Sequence, residues 1–316
     1  MPRLARWILV FLCVAGIGLP SRAAAQTAPP ATPASPPQDP AAAQTPAQTA
    51  APQPADDDDR QLKLAEPDFA VINLPTTLRL PKGTFNFRLT HRFLGNLRQG
   101  SFTDNLENLF GLDQGAIIGI EVRYSPIRHL QAIFYRNNLS KTIQFTGQYD
   151  VIRQGASSPL SASAIVSVEG TNNFRSGDSD EDGGEHSHGT STGHHSPALG
   201  AVLSRHLSDR LAVYAAPVWV HHVIALETGH RDTFFIGVGG RARLTSKVYV
   251  VGEVAPRVNG YAPGDPMFAF GIERRAGGHM FQLNFGNSLA STYGQIAQGG
   301  FPDTIYMGFN LGRKFF

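Results

Sequence analysis

The sequence predicts an all-β protein: a transmembrane, antiparallel, up-and-down β-barrel of about 12 strands, preceded by a signal peptide and a disordered Pro/Ala-rich linker. Three observations predict it. Beyond residue 60, apolar and polar residues alternate with the period of two that belongs to extended strands. The connections between the alternating segments sort into short and long by parity. The last alternating segment closes on two aromatic residues, Phe315 and Phe316, which an exposed, frayed terminus would not favour.

The first 25 residues read as a secretory signal. Arg3 and Arg6 precede an apolar run from Trp7 to Leu19, and Ala23, Ala24 and Ala25 supply a small-residue cleavage site, leaving Gln26 as the expected mature start. The run is shorter than the roughly 20 residues of a membrane-spanning helix. The single cysteine, Cys13, lies inside it. The mature chain would then lack cysteine, so disulfides, thiolate metal sites and a Cys nucleophile are excluded. Residues 26–60 are mostly Ala, Pro, Gln and Thr and end in the acidic run Asp56–Asp59. They hold no apolar pattern to bury, so they are expected to form a disordered linker in the periplasm. Residues 61–316 form the expected barrel domain.

Composition agrees with that division. The chain has 33 Gly, 20 Phe and only 16% charged residues, and its net charge of +2 is too small to suggest nucleic-acid binding. Candidate strands fall near 84–93, 114–125, 127–137, 140–150, 160–169, 197–206, 210–221, 232–245, 246–256, 266–275, 278–288 and 303–316. In the first, Phe85, Phe87 and Leu89 oppose Asn86, Arg88 and Thr90. In the second, Ile118, Ile120, Val122 and Tyr124 oppose Gly119, Glu121 and Arg123. In the last, Ile305, Met307, Phe309 and Leu311 oppose Tyr306, Gly308 and Asn310. A soluble sandwich also alternates. It has no reason to sort its loops, however, and here even-numbered strands are followed by short turns such as 125–126, 207–209 and 275–278. Odd-numbered strands mostly precede long loops: 94–113, 170–196, 222–231, 257–265 and 289–302. That asymmetry marks an outer-membrane barrel of the Gram-negative type, with short turns on the periplasmic side. Outward residues such as Phe309 then face lipid, and an Arg at Asn310, on the lumen face, is expected to be milder than one at Phe309. The strand ending at Phe316 is the expected signal to the barrel assembly machinery, and outer-membrane lipid is the other expected partner.

Several stretches are also familiar. The segments "LPTTLRLPKGTFNFRLTHRF", "LFGLD" and "LQAIFYRNNLSKTIQFTGQYD", with His91–Phe93, Gly111–Asp113 and the hairpin 135–142 at their centres, resemble an uncharacterised family of bacterial β-barrel proteins over roughly residues 68–316. The resemblance implies an outer-membrane barrel and brings no activity, substrate or site residues.

Candidate sites are few. The segment 176–196 holds Asp178, Asp180, Glu181, Asp182, Glu185 and the histidines His186, His188, His194 and His195, with His221, His222 and His230 in the next long loop. Neutral imidazoles beside carboxylates suit Zn or Cu, so His186, His188, His194 and His195 are a candidate metal site, binding near neutral pH and releasing the ion as pH falls through about 6. A hydrated outer loop with no ion is the simpler reading, and no other cofactor is expected. Arg88, Glu121, Arg123, Arg241, Arg243 and Glu253 are expected to line the lumen, together with Lys141 and Arg257. They would either line a permeation path, with Arg leaning it toward anions, or pair and fill it. His91, Arg92 and Asp113 are placed to hold the first long loop and its short helix, near 103–111, in the barrel mouth. The glycines of "GVGGRAR" (237–243) lack the following helix of a phosphate loop. With no nucleophile–base signature, no enzyme activity is expected. The readings left are a narrow passive channel or small-solute pore, a closed structural or surface-binding barrel, and, third, a barrel enzyme.

Overall fold

The structure is a computed structural model that describes residues 63–174, 195–223 and 231–315. The signal segment 1–25, the linker 26–60 with Asp56–Asp59, the histidines His186, His188, His194 and His230, and Phe316 lie outside the described residues.

Among the described residues, thirteen strands form one sheet. They are β1 (Phe85–Asn96), β2 (Ala116–Ile127), β3 (Leu130–Asn137), β4 (Ile143–Ile152), β5 (Ser161–Gly170), β6 (His195–Ser208), β7 (Leu211–Val223), β8 (Arg231–Arg243), β9 (Val248–Ala255), β10 (Arg257–Asn259), β11 (Met267–Ala276), β12 (His279–Gly286) and β13 (Tyr306–Phe315). Apart from β10, three residues that follow β9 across Pro256 and pair with β8, each strand pairs antiparallel with its sequence neighbour, and β9 passes directly to β11. β1 pairs with β13 from Phe85↔Phe315 onward, which closes the ring. The twelve strands expected from the sequence are the twelve of the barrel.

The burial pattern runs opposite to that of a soluble protein. In β2 the side chains of Glu121 and Arg123 are buried, whereas Ile120 is 43% and Val122 39% exposed. Phe145, Val238, Phe270, Leu283 and Leu311 face outward in the same way. Aliphatic and aromatic groups alternating outward with charges inward is the signature of a barrel whose solvent is lipid, since hydrocarbon takes up the apolar face and the interior collects the polar one. Every strand backbone is paired, so no polar edge faces the membrane. Phe315 stacks on Phe85 at 4.4 Å between centroids, which fixes Phe315 on the outer face of the seam.

Tight turns join the strands at the end of the barrel where β1 starts and β13 stops, here the terminal end. Longer connections lie at the opposite, loop end, except that the β3–β4 hairpin there is short (138–142) and the β4–β5 connection at the terminal end runs over 153–160. The first of these contains α1 (Phe102–Glu107), capped by a reciprocal pair of hydrogen bonds between Ser101 and Asp104 that holds the Asp104 carboxyl below its usual range. α1 buries none of its residues, so it lies outside the barrel mouth rather than in it. Behind it, Gly111 takes φ 87° and lies so close to Gly95 of β1 that a side chain on either would strike the other's backbone. Asn138 of the β3–β4 hairpin accepts from Ile118 N–H at 2.8 Å and donates to Ala116 O at 3.0 Å, tying that hairpin to β2.

One expectation about the wall changes with the structure. Asn310 is buried and donates to Ile72 O at 3.2 Å and to Gln282 Oε1. The lumen there is filled, so Asn310→Arg has no water to enter and is expected to disrupt rather than be tolerated. Phe309, outward and stacked on His91 at 4.7 Å, is expected to cost about 2–4 kcal/mol as Phe309→Arg near the bilayer midplane. Phe309→Leu is expected to be near neutral, and urea titrations of the refolded barrels compare them. Equal midpoints for the two variants would place this face away from lipid.

Candidate functional site

The interior is occupied from both ends. The chain before β1 enters the barrel at the terminal end, turns back at residues 71–74 and leaves by the same end. Its two arms are joined by Val71 N–H to Leu74 O at 2.8 Å and Thr76 N–H to Phe69 O at 3.0 Å, with a bridge between Ala70 and Pro75. Phe69, Val71, Ile72 and Leu74 are almost wholly buried. Two glycines of β8 make the room: Gly237 faces the Leu74 side chain and Gly239 the Val71 side chain, so these two glycines of the "GVGGRAR" stretch are explained by the packing of the hairpin's side chains against the wall.

A non-strand segment in a lumen must have its N–H and C=O groups satisfied. The wall does this with side chains. The Glu253 carboxylate accepts from the backbone N–H groups of Ile72 (3.0 Å), Asn73 (2.9 Å) and Leu74 (3.0 Å) and from the Asn73 amide (2.9 Å). Those N–H groups converge on one anion, the arrangement of a backbone nest. The carbonyls are met by donors. Arg241 donates to Ala70 O at 2.6 Å, Gln282 to Val71 O at 2.7 Å, Gln148 to Thr76 O at 2.9 Å and Gln131 to Leu78 O at 3.2 Å. Arg88 donates to Ile72 O, and Lys314 to Pro67 O at 2.6 Å. Thr77 bonds Ser204 of β6 through the hydroxyls. Arg123 and Lys314 lie 5.0 and 4.9 Å from the centroid of Phe69.

The wall charges also pair among themselves. Arg241 makes a bidentate ion pair with Glu273 of β11, at 2.7 and 2.9 Å, with both side chains 0% exposed. Arg123 donates to Glu121 at 3.3 Å and reaches Gln131 and Gln148 at 3.2 Å. Arg88 stands 3.9 Å from Glu121.

From the loop end, the connection between β12 and β13 folds inward. It carries α2 (Tyr293–Ala297), all five residues buried. Gly294 N–H and the Gln144 amide donate to Glu169 at 2.9 and 3.0 Å, and Asn137 donates to Gln295 at 3.1 Å. Tyr293, Ile296 and Ala297 join Ile165, Val202, Val218, Phe235 and Met267 of the wall and Leu74 of the hairpin in one apolar cluster. Between the two insertions lies a cavity of about 40 Å³ whose lining includes Asn73, Arg88, Glu121, Arg123 and Tyr135. A wider recess of about 290 Å³ opens beside the hairpin's entry, lined by Lys63, Glu66, Arg79 and His206 among others.

The residues singled out from the sequence are placed as follows. Arg88, Glu121, Arg123, Arg241 and Glu253 are buried inside the barrel, on the hairpin or on one another. Arg243 is half-buried near the terminal end of β8. Lys141 is exposed in the β3–β4 hairpin, and Arg257 binds the carbonyls of Pro263, Gly264, Asp265 and Gln298. His91 faces outward against Phe93 and Phe309, Asp113 is exposed, and Arg92 turns inward to Asn73 and Asn310 at 2.9 and 2.8 Å. These three do not converge on the first loop. Of the candidate metal set only His195 is described, exposed at the start of β6, with Phe174 at 5.1 Å. The hairpin itself and the acceptors Glu273 and Glu169 were not singled out from the sequence. The available signal was "FAVINL" (69–74), an apolar run of strand length left outside an already even set of strands.

Comparison with known proteins gives one family. The family described as a membrane bound beta barrel domain (DUF5777) matches residues 68–315, a span that takes in most of the hairpin with the barrel. No curated protein matches the chain. The chain is similar in structure to the NanC porin (9% identity, 73% of this chain and 99% of that one, TM-score 0.45) and to the KdgM porin (9%, 74% and 99%, 0.44). It is also similar to the COG4313 outer membrane channel from Pseudomonas putida F1 (12%, 75% and 97%, 0.45). Likeness at this distance carries no functional information.

Proposed function

Since the chain belongs to the family of membrane bound beta barrel domains (DUF5777), we propose that it is an outer-membrane barrel that rests closed and conducts small solutes when the segments filling its lumen, the N-terminal hairpin and the β12–β13 connection, move aside. The observation that carries this reading is the way the hairpin is held. Side chains of the wall, Glu253, Arg241, Gln282, Gln148 and Gln131, bind its backbone. Water can replace such hydrogen bonds at modest net cost, so the hairpin is removable in a way that a wall strand is not. The first described residue of the hairpin, Lys63, stands at the terminal end of the barrel, which supports a periplasmic linker over residues 26–60. With the lumen open, the inward charges balance in number, Arg88, Arg92, Arg123, Arg241 and Lys314 against Glu121, Asp150, Glu169, Glu253 and Glu273, so the wall favours neither sign of solute by count.

A closed structural barrel is the second reading, favoured by the apolar burial of Phe69 and Leu74. Planar-bilayer recording separates the two. The full chain is expected to show a silent baseline with rare openings, and a variant lacking residues 63–80, with 289–300 replaced by a short turn, sustained steps. A silent deletion variant that still migrates as a folded barrel overturns the channel and leaves the structural reading.

A further inference from the structure

At the loop end, β7 and β8 bring together three metal-binding side chains. Through Val220↔Thr233 the two strands pair in register, and the pairing resumes at Val223↔Arg231, so a bulge holds His221 and His222 opposite Asp232. Consecutive strand residues normally point to opposite faces. His222 escapes that rule because its backbone takes φ 50°. The two imidazoles consequently lie side by side, with centroids 3.6 Å apart and planes 30° from parallel. The bulge is fixed from both sides: Ser196 donates to His222 O at 2.7 Å, and His222 N–H donates to Asp232 Oδ1 at 3.1 Å.

The same Asp232 oxygen lies 2.8 Å from His221 Nδ1, without the alignment of a hydrogen bond. One donor atom each from His221, His222 and Asp232 falls within 4.8 Å of the others. Donor atoms bound to one ion at about 2.0–2.2 Å stand no more than about 4.4 Å apart, close to this spacing. The exposed His222 and Asp232 side chains have room to adjust to such an ion.

We propose that His221, His222 and Asp232 bind a divalent late first-row transition ion. Two imidazoles and one carboxylate are donors of intermediate softness, which suit zinc, nickel or copper and disfavour calcium and magnesium, ions that require more oxygen ligands. Three protein donors leave a coordination position open at the barrel mouth, for water or for a ligating group of a solute. The site is built on strand ends and uses none of His186, His188, His194 and His195. It is also independent of whether the barrel conducts.

The test uses the full refolded barrel without an affinity tag, in a background with His186, His188, His194 and His195 all replaced by Ala. Zn²⁺ is titrated by calorimetry and by competition with a chromophoric chelator. One Zn²⁺ per chain with micromolar affinity is expected. His222→Asn keeps a residue that tolerates positive φ while removing the imidazole, and combined with His221→Ala it is expected to abolish binding. Asp232→Asn is expected to weaken binding at least tenfold. Heat-modifiable migration in gels verifies that each variant is folded. No saturable binding in the background chain, or binding unchanged in the folded His221→Ala/His222→Asn variant, overturns the site.

Discussion

Glu253→Gln is expected to release the N-terminal hairpin from the lumen. The substitution keeps volume and shape, so it creates no cavity. It replaces one carboxylate oxygen by an amide nitrogen, which donates and cannot accept. Both oxygens of Glu253 are in use: Oε2 accepts from Ile72, Asn73 and Leu74, and Oε1 from the backbone and side chain of Asn73. Whichever way the amide turns, donors face donors at the hairpin's apex. Hydrogen bonds to a charged acceptor are worth about 1.5–3 kcal/mol each, and buried donors left without partners cost a similar amount. A loss of about 3 kcal/mol shifts the bound hairpin toward release roughly a hundredfold. Arg79, now half-buried and 3.5 Å from Asp150, then becomes a trypsin site from the terminal side, while the lipid-embedded wall stays resistant. Cleavage after Arg79 at the wild-type rate in the variant would mean that Glu253 does not hold the hairpin.

Arg241→Met is expected to destabilise the whole barrel by about 3–5 kcal/mol, because it leaves the Glu273 carboxylate buried without its cation. Arg241 has the further tasks of donating to Ala70 O at 2.6 Å and to the Tyr214 hydroxyl at 3.3 Å. The control is the double variant Arg241→Met with Glu273→Gln. Removing both charges removes the desolvated ion, so the double variant is expected to recover most of the loss, as buried pairs do when replaced together. Urea midpoints of the refolded proteins measure it. A double variant no more stable than Arg241→Met alone would mean that the damage comes from the lost Ala70 and Tyr214 contacts. The contrast with Glu253→Gln is informative, since that change is expected to free the hairpin while leaving the wall's own stability nearly intact.

Much of the wall was legible in the sequence because lipid imposes a strict local rule. Each strand must turn an apolar face outward, so Ile118, Ile120 and Val122 announce β2 without reference to any other part of the chain. The sorting of loops by length told the barrel from a sandwich for the same reason. The inward charges Arg88, Glu121, Arg123, Arg241 and Glu253 were legible as a set with one facing, by parity alone. Their partners were not. Glu253 meets Ile72 across 181 residues of sequence, and nothing local in either segment names the other.

The same limit explains the loops. α1 was visible as a short helix from "TDNLENLFG", yet its position outside the mouth depends on the contact of Gly111 with Gly95, which no period reveals. The loop that does enter carries α2, whose burial rests on Glu169, Gln144 and Asn137 of three different strands. His221 and His222 showed the same thing at smaller scale. Alternation puts neighbours on opposite faces, and only the bulge against Asp232, with φ 50° at His222, turns both to one side. The sequence by itself determined the strands, their facing and the count that closes the ring, because those follow from the period-two pattern and from a uniform apolar solvent. The tertiary structure alone decided that the lumen is filled and by what, because a buried backbone is satisfied by whichever polar side chains the closed barrel brings to it.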